Sequence, residues 1–263
     1  MIAGRALPLL PLALAAALAC AGAPPFPAGR LVDLSHPFDA DTVFWPTEEG
    51  FVLERAFAGT TEGGYWYAAN RFRSAEHGGT HVDAPIHFGE GRRTVDEIPL
   101  EQLLGPGLVV DVRGPCARDR DYLVGVADLT EWEGAHGRIP EGAIVLLHTG
   151  FGAFWPDRVR YMGSDSRGAE AVAGLHFPGL HPDAARRLLE RRVAAVGIDT
   201  PSIDHGPSRD FPTHRILAAA QVPAFENVAS LEALPPAGFS VIALPMKIRG
   251  GSGGPLRIVA LVP

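Results

Sequence analysis

The sequence predicts a mixed α/β domain built on a substantial sheet. Three observations carry this expectation. Apolar runs of strand length recur along the chain, most of them rich in Val, Ile and Leu and bounded by Gly or Pro. Helical patterns are fewer and interrupt the strands late in the chain. Gly (31) and Pro (24) are abundant, which suits many short elements joined by tight turns. With 263 residues, 46% of them hydrophobic, the chain has enough apolar material for one domain with its own core.

The first two dozen residues follow a different regime. Arg5 precedes the apolar run LPLLPLALAAALACAGA, the pattern of a secretory signal peptide. Pro8, Pro11 and the short span argue against a membrane anchor. The reading is a leader over 1–22, a flexible lead-in over 23–30, a folded domain over 31–263, and export. Ala17-Leu18-Ala19-Cys20 loosely resembles a lipoprotein box, so a leader ending before Cys20 is the alternative, with membrane attachment only in that case. Strands are expected at 51–57, 65–75, 107–113, 143–148, 193–198, 239–246 and 256–262. The clearest helix is 182–192: Pro182 and Asp183 suit its N-terminus and Arg191-Arg192 its C-terminus, while Ala184, Ala185, Leu188 and Leu189 form an apolar face. A second helix is expected at 213–220, and shorter ones at 99–104 and 128–133.

Net charge is −7 and no basic stripe stands out, which argues against nucleic acid as a partner. The cysteines, Cys20 and Cys116, make no disulfide framework. Cys116 follows Gly114-Pro115 and reads as an incidental loop thiol. The ten histidines are more informative. Residues 76–88, EHGGTHVDAPIHF, place His77, His81, Asp83 and His87 at odd positions. On an extended chain these side chains share one face. Two glycines and Pro85 break a helix, so a strand running into a loop is expected. Imidazole and carboxylate together suit Zn²⁺, Mn²⁺ or Fe²⁺, and such an ion acidifies a water that it holds. A lone histidine is most often structural; four such groups on one face favour a metal site. His214, at the start of the second helix, and Glu226, after an apolar run, are further candidates, because a buried carboxylate needs a cation or donors. Gln221 is a weaker oxygen candidate.

These residues resemble the cyclase family of metal-dependent hydrolases, which includes kynurenine formamidases and isatin hydrolases. The signature His-x-Gly-Thr-His-x-Asp-x-Pro-x-His stands complete as His77, Gly79, Thr80, His81, Asp83, Pro85 and His87. Further matches are Asp33-Leu34-Ser35, Phe44-Trp45-Pro46, Leu146 through Gly150, Gly197 through Ser202, His214, Glu226-Asn227 and Leu234-Pro235. The resemblance spans residues 31–262. It implies a swivelling β/β/α fold in a homodimer or higher homo-oligomer. It implies His77, His81, Asp83, His214 and Glu226 as ligands of one or two divalent ions, Zn²⁺ or Mn²⁺. His87 would be the general acid and base, and Glu226 would share in catalysis. The substrate implied is a small aromatic amide, with Phe44, Trp45, Trp66 and Phe88 as pocket candidates beside Tyr65 and Tyr67. Export tilts the choice towards a cyclic amide over N-formylkynurenine.

Gly250 through Gly254 fits Gly-x-Ser-x-Gly. A nucleophile elbow needs a helix after it and a later histidine, and the sequence has neither, so the stretch reads as a flexible glycine turn. From another class, an exported metal- or ligand-binding protein without catalysis would keep His77, His81 and Asp83 but would have no need of His87.

Overall fold

The computed structural model describes residues 29–263; the leader and most of the lead-in lie outside the described residues. In chain order the strands are β1 (Arg30–Asp33), β2 (Val52–Thr60), β3 (Trp66–Arg73), β4 (His81–Asp83), β5 (Leu104–Asp111), β6 (Leu123–Val124), β7 (Ile144–His148), β8 (Gly179–Leu180), β9 (Ala195–Ile198), β10 (Ala224–Glu226), β11 (Ala237–Pro245) and β12 (Gly253–Val262). The helices are α1 (Leu100–Leu103), α2 (Arg113–Arg118), α3 (Val126–His136), α4 (Arg158–Met162), α5 (Pro182–Glu190) and α6 (Pro212–Ala219).

Eight strands form one mixed sheet in the order β1-β12-β11-β5-β7-β9-β10-β4. It closes on itself, because β12 also pairs with β4. The ten-residue β12 spends its first residues on β4 and its last on β1, so the ring has no open edge at that seam. The central strands β5, β7 and β9 run parallel. Both their faces are buried, which explains their unbroken apolar sequence. Leu108, Val110, Val145, Leu147, Val196 and Ile198 face an outer layer containing Leu129 and Trp132 of α3, Leu188 of α5 and Leu217 of α6. Val109, Ile144, Leu146 and Ala195 face the opposite way, onto Phe225, Val241, Ala243, Ile258 and Ala260. The mixed α/β domain expected from the sequence is therefore present, as a barrel-like sheet with helices on one side.

Strand expectations are met within a few residues. α5 begins with Pro182 at its first turn and is capped by His181, which accepts from the Asp183 amide. Two local readings change. Cys116 is not a loop thiol: it lies in α2, buried, and burial pushes its pKa up to about 12. The 250–254 stretch is docked along its length. The Gly251 carbonyl accepts from Val95 N, that of Ser252 from Ala84 N, and Gly253 starts β12.

One element stands apart. β2 and β3 form a separate two-stranded ribbon, almost wholly exposed, carrying Leu53, Phe57, Trp66, Tyr67 and Phe72 on its surface.

Candidate metal centre

The site lies at the closing seam. β4 is buried between β10 and β12, with His81 opposite Glu226 on one side and Asp83 opposite Gly253 on the other. The four groups of the 76–88 stretch do converge, but not along one extended strand. Only residues 81–83 are strand. His77 is delivered by a chain that bridges Gly78 to Phe44 and turns at Gly79 (φ +59°), and His87 by a 3₁₀ turn over Pro85–His87. Glycine is needed at 78, where a Cβ would stand 2.0 Å from Phe44. The Phe44 ring takes that space.

Asp83 is the hub. Its Oδ1 is 2.7 Å from His77 Nδ1 and 3.3 Å from His81 Nε2, and its Oδ2 is 3.1 Å from His214 Nε2. Glu226 completes the cluster, with Oε1 3.1 Å from His214 Nε2 and Oε2 3.4 Å from His81 Nε2. The second nitrogen of each buried histidine is held from behind. His81 Nδ1 lies 2.9 Å from the Gly79 carbonyl, and His214 Nδ1 lies 2.7 Å from Asp204. These contacts aim both Nε2 atoms at the carboxylates. Asp204, not singled out in the sequence, also accepts from the Thr213 and His214 amides, so it caps α6 and orients its histidine together.

These residues fit a divalent ion. His81 Nε2 is buried with no hydrogen-bond partner, although two carboxylate oxygens lie within 3.4 Å. The donor atoms of His81, Asp83 and Glu226 lie within 4.8 Å of one another, as do those of His77, Asp83 and His87. Imidazole nitrogens and carboxylates in this number are the donor set of Zn²⁺ or Mn²⁺. In the chain itself, burial disfavours charge on His81, yet Asp83 and Glu226 outweigh it and push its pKa up to about 10. His214 is raised in the same sense despite burial, by Asp204, Asp83 and Glu226. For His87 burial prevails and the pKa falls to about 4.

Above the cluster opens a cavity of about 410 Å³. Phe44, Trp45 and Phe88 line it, as expected, with Phe211 added at the start of α6. The His87 ring stacks on His77 at 3.7 Å and meets Phe88 edge-on at 4.5 Å. Trp66 is not part of this wall: it is 69% exposed on the ribbon, and Tyr65 and Tyr67 beside it are exposed too. Gln221 does not line the cavity; its Oε1 accepts from the Arg93 amide. Asn227, matched in sequence without a role, donates its amide to the Gly79 carbonyl and accepts at Oδ1 from the buried Tyr161 hydroxyl.

Comparison with known proteins finds relatives along most of the chain. An isatin hydrolase of Roseibium aggregatum is 32% identical over 208 residues, covering 76% of this chain and 77% of its own. A kynurenine formamidase of Salinibacter ruber is 30% identical over 233 residues, covering 87% and 96%. The solved structure of isatin hydrolase A from Ralstonia solanacearum superposes with a TM-score of 0.79 at 32% identity, covering 89% of this chain and 92% of that one. The Cyclase family model matches residues 32–205, and this chain belongs to that family.

Proposed function

We propose that this chain is a metal-dependent hydrolase that cleaves an aryl-linked amide C–N bond, as isatin hydrolases and kynurenine formamidases do. The observation that carries the reading is the convergence of buried His81, Asp83, His214 and Glu226 with half-buried His77 under an aromatic-walled cavity. His77, His81 and Asp83 would hold one ion of Zn²⁺ or Mn²⁺, and Asp83, His214 and Glu226 have the donors for a second. When bound, such an ion polarises a carbonyl and acidifies water.

The chain's own residues supply the rest. Phe44, Trp45, Phe88 and Phe211 seat an aryl ring and exclude bulk water. His87, on the cavity wall, takes the proton of the attacking water and returns it to the nitrogen as the C–N bond breaks. Glu226, fixed by the Ile203 amide at 2.7 Å, holds negative charge against the reacting centre. The leader-like segment supports export and, with it, a cyclic amide from outside the cell.

The ribbon of β2 and β3 supports a homo-oligomer. A two-stranded ribbon is marginal alone, and this one leaves its apolar residues in water. The partner proposed is a second copy, the homo-oligomer that the family resemblance implies. Light scattering should give a dimer or larger species that Trp66→Glu shifts towards the monomer mass; a wild-type monomer would refute this.

The deciding experiment counts metal in the purified chain by elemental analysis and follows isatin and N-formylkynurenine hydrolysis by absorbance in the same preparation. Metal with turnover of either is expected. Metal without turnover would favour a non-catalytic binding protein.

A further inference from the structure

We infer that Ser252 and Glu76 form a relay that fixes the tautomer and direction of His77, making them positioning residues for the metal centre. The inference rests on the metal-centre reading above. His77 Nδ1 faces Asp83 at 2.7 Å, and Nε2 faces away from the cluster, 2.8 Å from Ser252 Oγ. The Ser252 hydroxyl donates to Glu76 Oε2 at 2.6 Å, and the Ser252 amide donates to the same oxygen at 2.9 Å. A serine has one proton to donate. With that proton on Glu76, Oγ is left to accept, so the ring N–H belongs on Nε2. The Nδ1 lone pair is then the one presented to the site, on the side of Asp83.

The backbone is shaped for this contact. A Cβ at Gly253 would stand 2.5 Å from the Val82 carbonyl and 2.6 Å from the His77 ring. One at Gly251 would stand 2.8 Å from Glu76 Oε1. Glycine on each side lets the serine reach the ring. The Gly-x-Ser-x-Gly match, set aside as a nucleophile elbow, thus places a serine behind a ligand. The three histidines of the cluster then share one plan, each with a nitrogen held from behind: His81 by a carbonyl, His214 by Asp204, His77 by Ser252 and Glu76.

Outer partners of ligating histidines are worth 10–100-fold in metal affinity. The test uses the full mature chain, with Zn²⁺ and Mn²⁺ alone as probes, titrated against a chelator. Ser252→Ala is expected to weaken metal binding by about 10–100-fold. Glu76→Ala should follow it, and Glu76→Gln, which keeps an acceptor for the hydroxyl, should lose less. The Co²⁺-loaded variants should show a shifted d–d absorption, which a role in pinning the turn alone would not produce. Should Ser252→Ala fail to fold, the Glu76 pair decides. Wild-type affinity and an unshifted Co²⁺ spectrum in the variants would overturn the relay. So would a loss of affinity matched by an equal loss of stability in the metal-free chain. A wild type that binds metal but turns over neither substrate counts against the hydrolase reading and leaves the relay standing. A wild type that binds no metal refutes both.

Discussion

His87 is the residue on which enzyme and carrier part. It lies on the cavity wall against His77 and Phe88, and its donor atom falls within 4.8 Å of those of His77 and Asp83. Removing a general acid–base costs about 10²–10⁴ in rate. His87→Ala is therefore expected to lower kcat by that factor while metal per chain, measured by elemental analysis, stays at the wild-type value. Loss of the metal would instead make His87 a ligand, and full turnover would remove it from the mechanism. At this scale the site was legible wherever its residues are close in sequence, since His77, His81, Asp83 and His87 announce one another by type and spacing. His214 and Glu226 are weaker candidates on local grounds, a helix start and a carboxylate after an apolar run, and the family pattern is what joins them to the four. Asp204, Glu76 and Ser252 were not reached, because each acts by holding a histidine distant in sequence or by backing one from outside, and no local pattern encodes that. Trp66 lies outside this chain's cavity for a different reason. Aromatic side chains serve cores, pockets and interfaces alike, so their type does not say which.

Among the elements, α5 shows why some of the fold could be read early. Its N-terminal Pro182 and Asp183 and its apolar spacing are local signals, and local signals survive without tertiary context. α2 shows the opposite. Gly114-Pro115 looks like a loop, but proline is tolerated in the first turn, where amides lack helical partners anyway. The three-residue β10 is too short for any periodicity, and its pairing with β4 and β9 is what makes it a strand. Helix ends also carry a measurable pH dependence. Glu133 of α3 accepts from Arg191 Nε at 2.6 Å and Nη2 at 2.8 Å, and from the Ile139 amide at 3.1 Å, tying α3 to the end of α5. Hydrogen bonding from Arg191 is the main cause that lowers the Glu133 pKa from 4.5 to about 2. A depressed folded-state pKa means the contribution is complete above the unfolded value and fades as pH falls from 4.5 to about 2. Glu133→Gln should cost up to about 1 kcal/mol at pH 7, as ion pairs close to solvent do. In urea unfolding series the deficit should shrink across that window; a deficit independent of pH would mean packing, not charge, joins the two helices.

The whole molecule is a ring of strands closed by β4 and β12, and the proposed ion lies at the closure. That closure could not be read from the sequence, because β12 serves two partners and sheet pairing is non-local. Its consequence is a coupling between metal and stability. Asp83 and Glu226 are both buried, on neighbouring strands, and α6 reaches them only through His214. Without a cation, two buried carboxylates face each other with histidines as their counter-charges, and burying charge without full compensation is costly. A ligand that binds only the folded state stabilises it by RT ln(1 + [L]/Kd), about 2.7 kcal/mol when free metal is 100 times Kd. For a chain of this size that is a rise in Tm of roughly 5–10 °C. Stripping the purified protein with a chelator should lower Tm by this amount in calorimetry, and resupplied Zn²⁺ or Mn²⁺ should restore it. In Glu226→Ala, which removes one of the two buried carboxylates as well as a ligand, the metal-dependent rise should shrink while the metal-free Tm falls little or increases. An unchanged Tm on stripping the wild type would show that the seam closes without an ion, and that the crowding of acids there is balanced by the histidines alone.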